Sequence, residues 1–502
     1  MSTTGSGNGP HEHRIVIIGS GFGGLGTAIR LKQEGIEDFV VLEKADDVGG
    51  TWRENTYPGI ACDVPSHLYS FSFAPNPDWS RMFSPGAEIQ SYLQRCSRDF
   101  GIEPHLRLGH RVTSAAWDDD TRRWHVQTDH GEFVAQIVVA APGPLHDPTL
   151  PDVPGIETFE GAMFHSATWD HDVDLRGKRV AVIGTGASSI QFVPEIQPLV
   201  SELHLFQRTA PWVVPRLDHP ISQRMRRLYR AFPQAQAAMR GWIYATREAV
   251  VMGFMHPWAM ALPQKLALSH LERQVADPEL RARLTPTYTI GCKRVLISNV
   301  WYPAITQPNV NVVSGGLAEV RPHSVVGSDG VEVEVDAIIF GTGFRALNPP
   351  ISEHLAGRDG STMAEHWNGS PRAYLGTTVA GFPNLFMLVG PNTGLGHNSI
   401  VYMIESQIAY LLDALRVMDA GGVETIEVLP EAEDEFTRHV DEELQGSVWN
   451  AGGCASYYLD ASGRNSAVWP GFTWRYRAKT RHFDVAHYTL GFRERGRVGV
   501  PA

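Results

Sequence analysis

Two short β-branched runs, Arg14-Ile15-Val16-Ile17-Ile18 and Arg179-Val180-Ala181-Val182-Ile183, each end directly in a glycine loop. The loops read Gly19-Ser20-Gly21-Phe22-Gly23-Gly24 and Gly184-Thr185-Gly186-Ala187-Ser188-Ser189. A strand that runs through such a loop into a helix opens a dinucleotide-binding βαβ unit. Two copies predict an α/β fold with two Rossmann-like dinucleotide-binding domains. A chain with two such sites holds two redox carriers at once, so electrons pass between them inside it.

The first unit is complete. After its loop, residues 25–35 read as a helix with apolar positions Leu25, Ala28, Ile29 and Leu31, and the strand Phe39-Val40-Val41-Leu42 ends in Glu43. An acid about 20 residues beyond the loop accepts hydrogen bonds from ribose hydroxyls in such units. Gly19 permits the tight turn, Gly21 lets the backbone approach a pyrophosphate, and Gly24 allows close packing of helix on strand. The helix N-terminus supplies amide donors and positive partial charge to the phosphates.

The second unit departs from the strict pattern. Ser189 stands where the third glycine belongs, and is small enough for the helix to approach the strand. Its second strand, Leu203-His204-Leu205-Phe206, ends at Gln207-Arg208-Thr209. An NAD site carries an acid there, whereas Arg208 pairs with a 2′-phosphate. NADPH is therefore expected over NADH.

Composition narrows the remaining classes. A chain of 502 residues is long enough for two or three domains. Its net charge of −12 argues against nucleic acid as a partner. Cys62, Cys96, Cys292 and Cys454 stand far apart with no C-x-x-C pair. On that spacing a disulfide framework and a zinc ribbon are excluded, no metal is expected, and a reducing cytoplasm fits. The polar N-terminal segment reads as a disordered tail without a signal core. The most apolar stretch, 249–262, is too short to span a bilayer and reads as a buried or surface-seeking helix.

Between the glycine loops lies Phe159-Glu160-Gly161-Ala162-Met163-Phe164-His165-Ser166-Ala167-Thr168-Trp169-Asp170. This F-x-G-x-x-x-H-x-x-x-W-D pattern resembles the fingerprint of the type I Baeyer–Villiger monooxygenases, class B flavin-dependent monooxygenases. The resemblance implies FAD at the first site and NADPH at the second. It also implies oxidation of a ketone to an ester or lactone with O2 through a C4a-peroxyflavin. Gly49-Gly50-Thr51-Trp52 and Tyr57-Pro58-Gly59-Ile60-Ala61-Cys62-Asp63 resemble the family's flavin-lining stretch, with Trp52, Asp63 and Tyr69 at positions close to the flavin. Gly291-Cys292-Lys293-Arg294 resembles its "KR" pair, in which Lys293 would help bind the 2′-phosphate and Arg294 would be catalytic, oriented by Asp63. Thr51, Val112, Thr185, Gly186, Ser188, Gln191 and Thr209 complete the expected cofactor-binding set. His165 and Trp169 would couple the two domains rather than attack substrate.

The run Asp336-Ala337-Ile338-Ile339-Phe340-Gly341-Thr342-Gly343-Phe344 resembles the "D…ATGF" signature of flavin monooxygenases and marks a crossing between domains. The FAD domain is expected in two parts, 1–145 and 346–502, the second with an active-site loop. The NADPH domain is expected at 146–214 and 291–345, around a helical insertion at 215–290. Late in the chain, 386–392 reads as a buried strand and 400–417 as a helix. The aromatic tail from Trp449 to Phe472 reads as part closing loop, part packed structure.

The substrate expected is a small hydrophobic ketone, acted on in the cytoplasm by a monomer or homodimer with no membrane span. Oxidation of sulfur or nitrogen is the nearest alternative. A disulfide reductase would need a cysteine pair beside the flavin, and Cys62 stands alone.

Overall fold

The computed structural model describes residues 10–492. The N-terminal tail expected to be disordered, residues 1–9, lies outside them. Two parallel sheets dominate. In the first, His11–Ile18 lies between Phe39–Leu42 and Gly131–Ala140, parallel to both. Leu106–Arg107 extends one edge, and the hairpin strands Val112–Asp118 and Arg123–Thr128 extend the other. Two late strands, Leu355–Ala356 and Leu385–Met387, join this same sheet. The second sheet runs Val310–Ser314, Glu202–Gln207, Arg179–Ile183, Ala337–Phe340, Ala162–His165, all parallel. In each sheet the run leading into a glycine loop is an inner strand whose neighbours lie on both sides. That is the switch point where such sheets bind ligands.

The central strands are buried on both faces, as Ile15, Val16, Ile17 and Val180, Ala181, Val182 all show. This is why they read as unbroken apolar runs rather than alternating ones. The first helix spans Phe22–Gln33, beginning three residues before its apolar pattern. Gly23, Gly24 and Gly26 lie buried inside it, so the residues that allow close packing also hide the helix from a periodicity reading. The late strand is shorter than expected, Leu385–Met387. Val389 adopts a left-handed φ of 58° and turns the chain before Gly390-Pro391. The following helix, Ile400–Gly421, outlasts its expected end by one turn.

The insertion expected at 215–290 carries the helices Gln223–Ala231, Pro233–Met255, Ala261–Gln274 and Pro278–Arg283. The apolar stretch 249–262 is not one helix, because His256-Pro257 ends the long one. This segment packs into both cores. Ile243, Phe254 and Met260 join the cluster around the first sheet, while Leu271, Val275 and Leu284 join the second.

The cysteine reading requires correction. Cys292 and Cys454 form a disulfide across 162 residues. Separation along the chain does not limit approach in space, and here the loops carrying them pack together. Thr289 N donates to Gly452 O (2.9 Å), and a Cβ on Gly452 would lie 2.6 Å from the Cys292 Cβ. Cys62 and Cys96 are free and buried. The aromatic tail is mostly packed: Trp449 and Trp469 are buried, while Tyr457 remains exposed. No helix among the described residues is long and apolar enough to cross a membrane.

Candidate active site

At the first loop the backbone itself forms the cradle. Gly19 has a φ of 97°, and a Cβ there would sit 2.6 Å from Ala141 O. A Cβ on Gly24 would sit 1.8 Å from Gly19 O, so nothing larger than hydrogen fits. Gly21 faces Gly50 backbone to backbone, and Gly49 N donates to Ser20 O (3.2 Å). No side chain caps the helix that starts at Phe22, so its first amides remain available to a phosphate. These features fit a dinucleotide pyrophosphate. Thr51 and Trp52 open the short helix that lies against this loop. Trp52 Nε1 donates to Tyr69 Oη (3.3 Å), fixing the two rings edge to face.

Glu43 is buried, and its carboxylate is already engaged. It accepts from Ser20 N (2.9 Å), Ser20 Oγ (2.6 Å) and Ala45 N (3.1 Å), and pairs with Arg53 (3.1 Å). A ribose would share these oxygens with the chain. Val112 begins its strand just beyond His110, whose N–H donates to Glu43 O.

The second loop is more open. Gly184 has a φ of 107°, and its Cβ would lie 2.5 Å from Gly341 O. A Cβ on Gly186 would meet only Gly341 O, at 3.8 Å. Ser189 is fully buried at the helix start and fits because Gly341 stands opposite; a Cβ on Gly341 would lie 2.1 Å from Ser189 Oγ. Ser188 caps this helix by position but not by a side-chain hydrogen bond. Thr185 Oγ1 donates to Thr209 O (3.3 Å). Arg208 is exposed, and neither it nor Lys293 forms an ion pair among the described residues. They are close enough that, after burial, the Arg208 charge is the next cause lowering the Lys293 pKa. Lys293 lies over the Tyr288 ring at 5.3 Å. Two unpaired cations at the end of this sheet suit a 2′-phosphate.

Gln191, expected to bind cofactor, spends its amide between the units. Its Nε2 donates to Ala61 O (2.9 Å), and its Oε1 accepts from Tyr57 Oη (3.1 Å) and Ala61 N (3.3 Å). His165 is buried with Nδ1 accepting from Ala167 N (3.0 Å), and burial lowers its pKa to about 4, so it is neutral near pH 7. Trp169, half-buried, packs edge-on to Phe164 and against Phe192 at the margin of the second core.

Between the units, Asp63 meets Arg294. Arg294 Nε and Nη2 donate to the two carboxylate oxygens at 2.6 and 2.7 Å, a bidentate pair spanning 231 residues. Asp63 holds the Arg294 pKa well above its usual range. Burial would raise the Asp63 pKa, but the charge and hydrogen bonds of Arg294 outweigh it and leave it lowered. Arg294 Nη1 points to Leu395 O (3.5 Å) in the loop before the helix Ile400–Gly421. The guanidinium is thus held on one edge by Asp63 with about a third of its side chain exposed.

Several neighbours escaped the sequence reading. Arg247, on the long insertion helix, feels the Asp63 carboxylate and forms no ion pair among the described residues. Beside it, buried Glu248 accepts from Asn398 Nδ2 (2.5 Å), Thr473 Oγ1 (2.7 Å) and Thr473 N (3.0 Å). This ties the insertion to the loop that carries Leu395 and to the tail. Tyr458 is buried near Arg294; burial raises its phenol pKa more than the guanidinium lowers it. No motif marks these residues, because only the folded chain brings them together.

Residues 12–230 match a family model described as flavin-binding monooxygenase-like. A Baeyer–Villiger monooxygenase of Streptomyces coelicolor is 53% identical over 483 residues, covering 96% of this chain and 93% of that protein. One from Pseudomonas aeruginosa is 51% identical over 98% of this chain and 94% of that protein. The crystal structure of cyclohexanone monooxygenase from Rhodococcus sp. Phi1 bound to NADP+ superposes with a TM-score of 0.86. That match has 29% identity and covers 97% of this chain and 100% of the other.

Proposed function

The chain belongs to the Baeyer–Villiger monooxygenases, NADPH-dependent flavoproteins, and from that premise we propose that Arg294, oriented by Asp63, is its catalytic cation and that hydrophobic ketones are its substrates. The observation that carries this reading is the bidentate Asp63–Arg294 pair between the two nucleotide units.

The overall reaction inserts one oxygen atom of O2 beside a carbonyl, releases the other as water, and takes two electrons from NADPH. Bound FAD, reduced by NADPH, supplies the activation of O2. The first loop, with Thr51, Trp52 and Tyr69 behind it, would hold that group. The second loop, with Arg208 and Lys293, would hold the nucleotide through its 2′-phosphate. Arg294 then presents a fixed positive charge to the carbonyl oxygen as negative charge develops on it. Preorganised charge of this kind in a partly dry site contributes a few kcal/mol. Asp63 keeps the guanidinium protonated, fixes its plane, and offsets its charge when no substrate is bound. A cytoplasmic setting suits the demand for NADPH, although the cysteines, one pair of which is bridged, do not argue for it.

The test is Arg294→Ala in the FAD-loaded enzyme, with anaerobic NADPH reduction and ester or lactone yield from cyclohexanone measured separately. Flavin reduction should stay within a few-fold of normal while product falls by about 10²–10³-fold. Normal product yield would sink the assignment.

A further inference from the structure

The helical insertion carries large apolar side chains on its outer surface. Trp258, Leu262 and Leu266 are 80%, 76% and 50% exposed, and their four-residue spacing puts them on one side of the segment that continues into the helix Ala261–Gln274. The other side of that helix is already buried, with Ala267 and Leu271 at 2% exposure. The outer stripe is therefore a second apolar face, not a core face. Trp242, Val250 and Met252 on the long helix, and Phe232 before it, add exposed apolar surface to the same insertion. Soluble proteins seldom expose so much without a partner.

Charge indicates which partner. Between residues 221 and 274 stand eight arginines and lysines against two acids, Glu248 and Glu272, in a chain whose net charge is −12. Glu248 is buried in the site, while Arg230 pairs with Asp78, Arg240 donates to His67 O and Ser70 O, and Arg247 faces Asp63, so none of these sets the surface charge. Arg224, Arg227, Lys265 and Arg273 are exposed and form no ion pair among the described residues. On the helix Ala261–Gln274, Lys265 lies three residues from Leu262 and Arg273 seven from Leu266, on the same outer side, and tryptophan and leucine beside unpaired lysine and arginine suit the boundary of an anionic lipid bilayer. A second copy of the chain fits poorly, because a two-fold contact would set this cationic face against itself.

We infer that the outer face of the helical insertion docks on anionic phospholipid surfaces, with Trp258, Leu262 and Leu266 entering the headgroup boundary and the free arginines and lysines facing the lipid charge. The contact is peripheral and needs no spanning helix. The acidic remainder of the chain is repelled from such a surface, which orients the molecule with the insertion downward. The long helix that precedes this face also carries Arg247, which feels the Asp63 carboxylate. An apolar ketone dissolved in a bilayer would reach the site without crossing bulk water.

The test is sedimentation of the FAD-loaded enzyme with vesicles of phosphatidylcholine mixed with phosphatidylglycerol, against phosphatidylcholine alone. Binding to the anionic vesicles should be at least about tenfold tighter, and should weaken with salt. Trp258→Ser/Leu262→Ser should abolish it, and Lys265→Gln/Arg273→Gln should weaken it about tenfold. Flavin content and turnover of a water-soluble ketone should be unchanged in both. Should the apolar variant lose its flavin, the charge variant decides. Failure to bind anionic vesicles, or equal binding by the charge variant, overturns the inference. So does a dimer in sedimentation equilibrium that the apolar variant dissociates, since a second copy would then cover this face.

Discussion

The two nucleotide units begin alike and are finished differently. In the first, the third glycine is absolute, because a Cβ on Gly24 would meet Gly19 O at 1.8 Å, and the acid beyond the second strand is buried and saturated. In the second, a serine takes the third place against Gly341, and the corresponding strand ends in exposed Arg208 with Lys293 nearby. One loop design is thus either closed and internally bonded or left open and flanked by cations. The difference lies in the residues that flank the loop.

The sharpest way to break this contrast is to put an alanine at the third loop position of each unit. Gly24→Ala should destabilise the protein by ~4 kcal/mol or more and leave it without flavin, because backbone rather than a flexible side chain stands in the way. Ser189→Ala should cost about 1 kcal/mol or less, since the site already holds a Cβ. Flavin-to-protein ratio and melting temperature report both. A flavin-loaded Gly24→Ala at normal melting temperature would remove the distinction.

Next in size is Glu43→Gln. It leaves Arg53, whose side chain is only 11% exposed, with Glu54 but without Glu43. We expect a loss of roughly 2 kcal/mol and faster flavin release on dilution. Unchanged retention would mean that Ser20 and Ala45 are satisfied by the amide alone.

Much of this contrast was legible in the sequence. The loops, both second strands and Arg208 follow from residues whose spacing encodes local chemistry, whereas the pairing of Asp63 with Arg294, 231 residues apart, was implied only by the family resemblance. What escaped was non-local or masked. Glycines broke the apolar period at the start of the first helix, and Val389 ended a strand with a conformation no propensity favours. That Glu43 would be taken up by Ser20 and Arg53 is decided by rotamers, not by spacing. Glu248 meets Asn398 and Thr473, 150 and 225 residues away, only through packing.

The open unit is sharpened by removing its cations. Arg208→Ala and Lys293→Ala should each raise the NADPH concentration needed for half-maximal flavin reduction by about 10–100-fold, as expected for one charge-assisted hydrogen bond. NADH should be nearly unaffected. An equal loss with both nucleotides would place these residues elsewhere than at the 2′-phosphate.

The smallest effect is the pH dependence of that site. Burial and the Arg208 charge lower the Lys293 pKa below the ordinary 10.5. The sign follows: the cation is present at low pH and is lost as pH rises through this lowered pKa. NADPH affinity should therefore begin to fall on the alkaline side before an ordinary lysine titrates. Lys293→Arg should flatten the profile in a binding titration; an identical profile would assign the titration to another group.

The disulfide between Cys292 and Cys454, once closed, still constrains the chain when both units unfold. It turns 162 residues of sequence into a ring with two tails. Inside that ring lie the last two strands of the second sheet, the crossing back, and the late strands that complete the first. An unfolded ring explores far fewer shapes than an open chain, and in the chain-entropy picture closure of this length disfavours the unfolded ensemble by about 5 kcal/mol. A single protease cut anywhere in the ring would leave one covalent piece until a thiol reductant opened it. The two sheets are therefore not beads on a string: the same loop of chain is threaded through both.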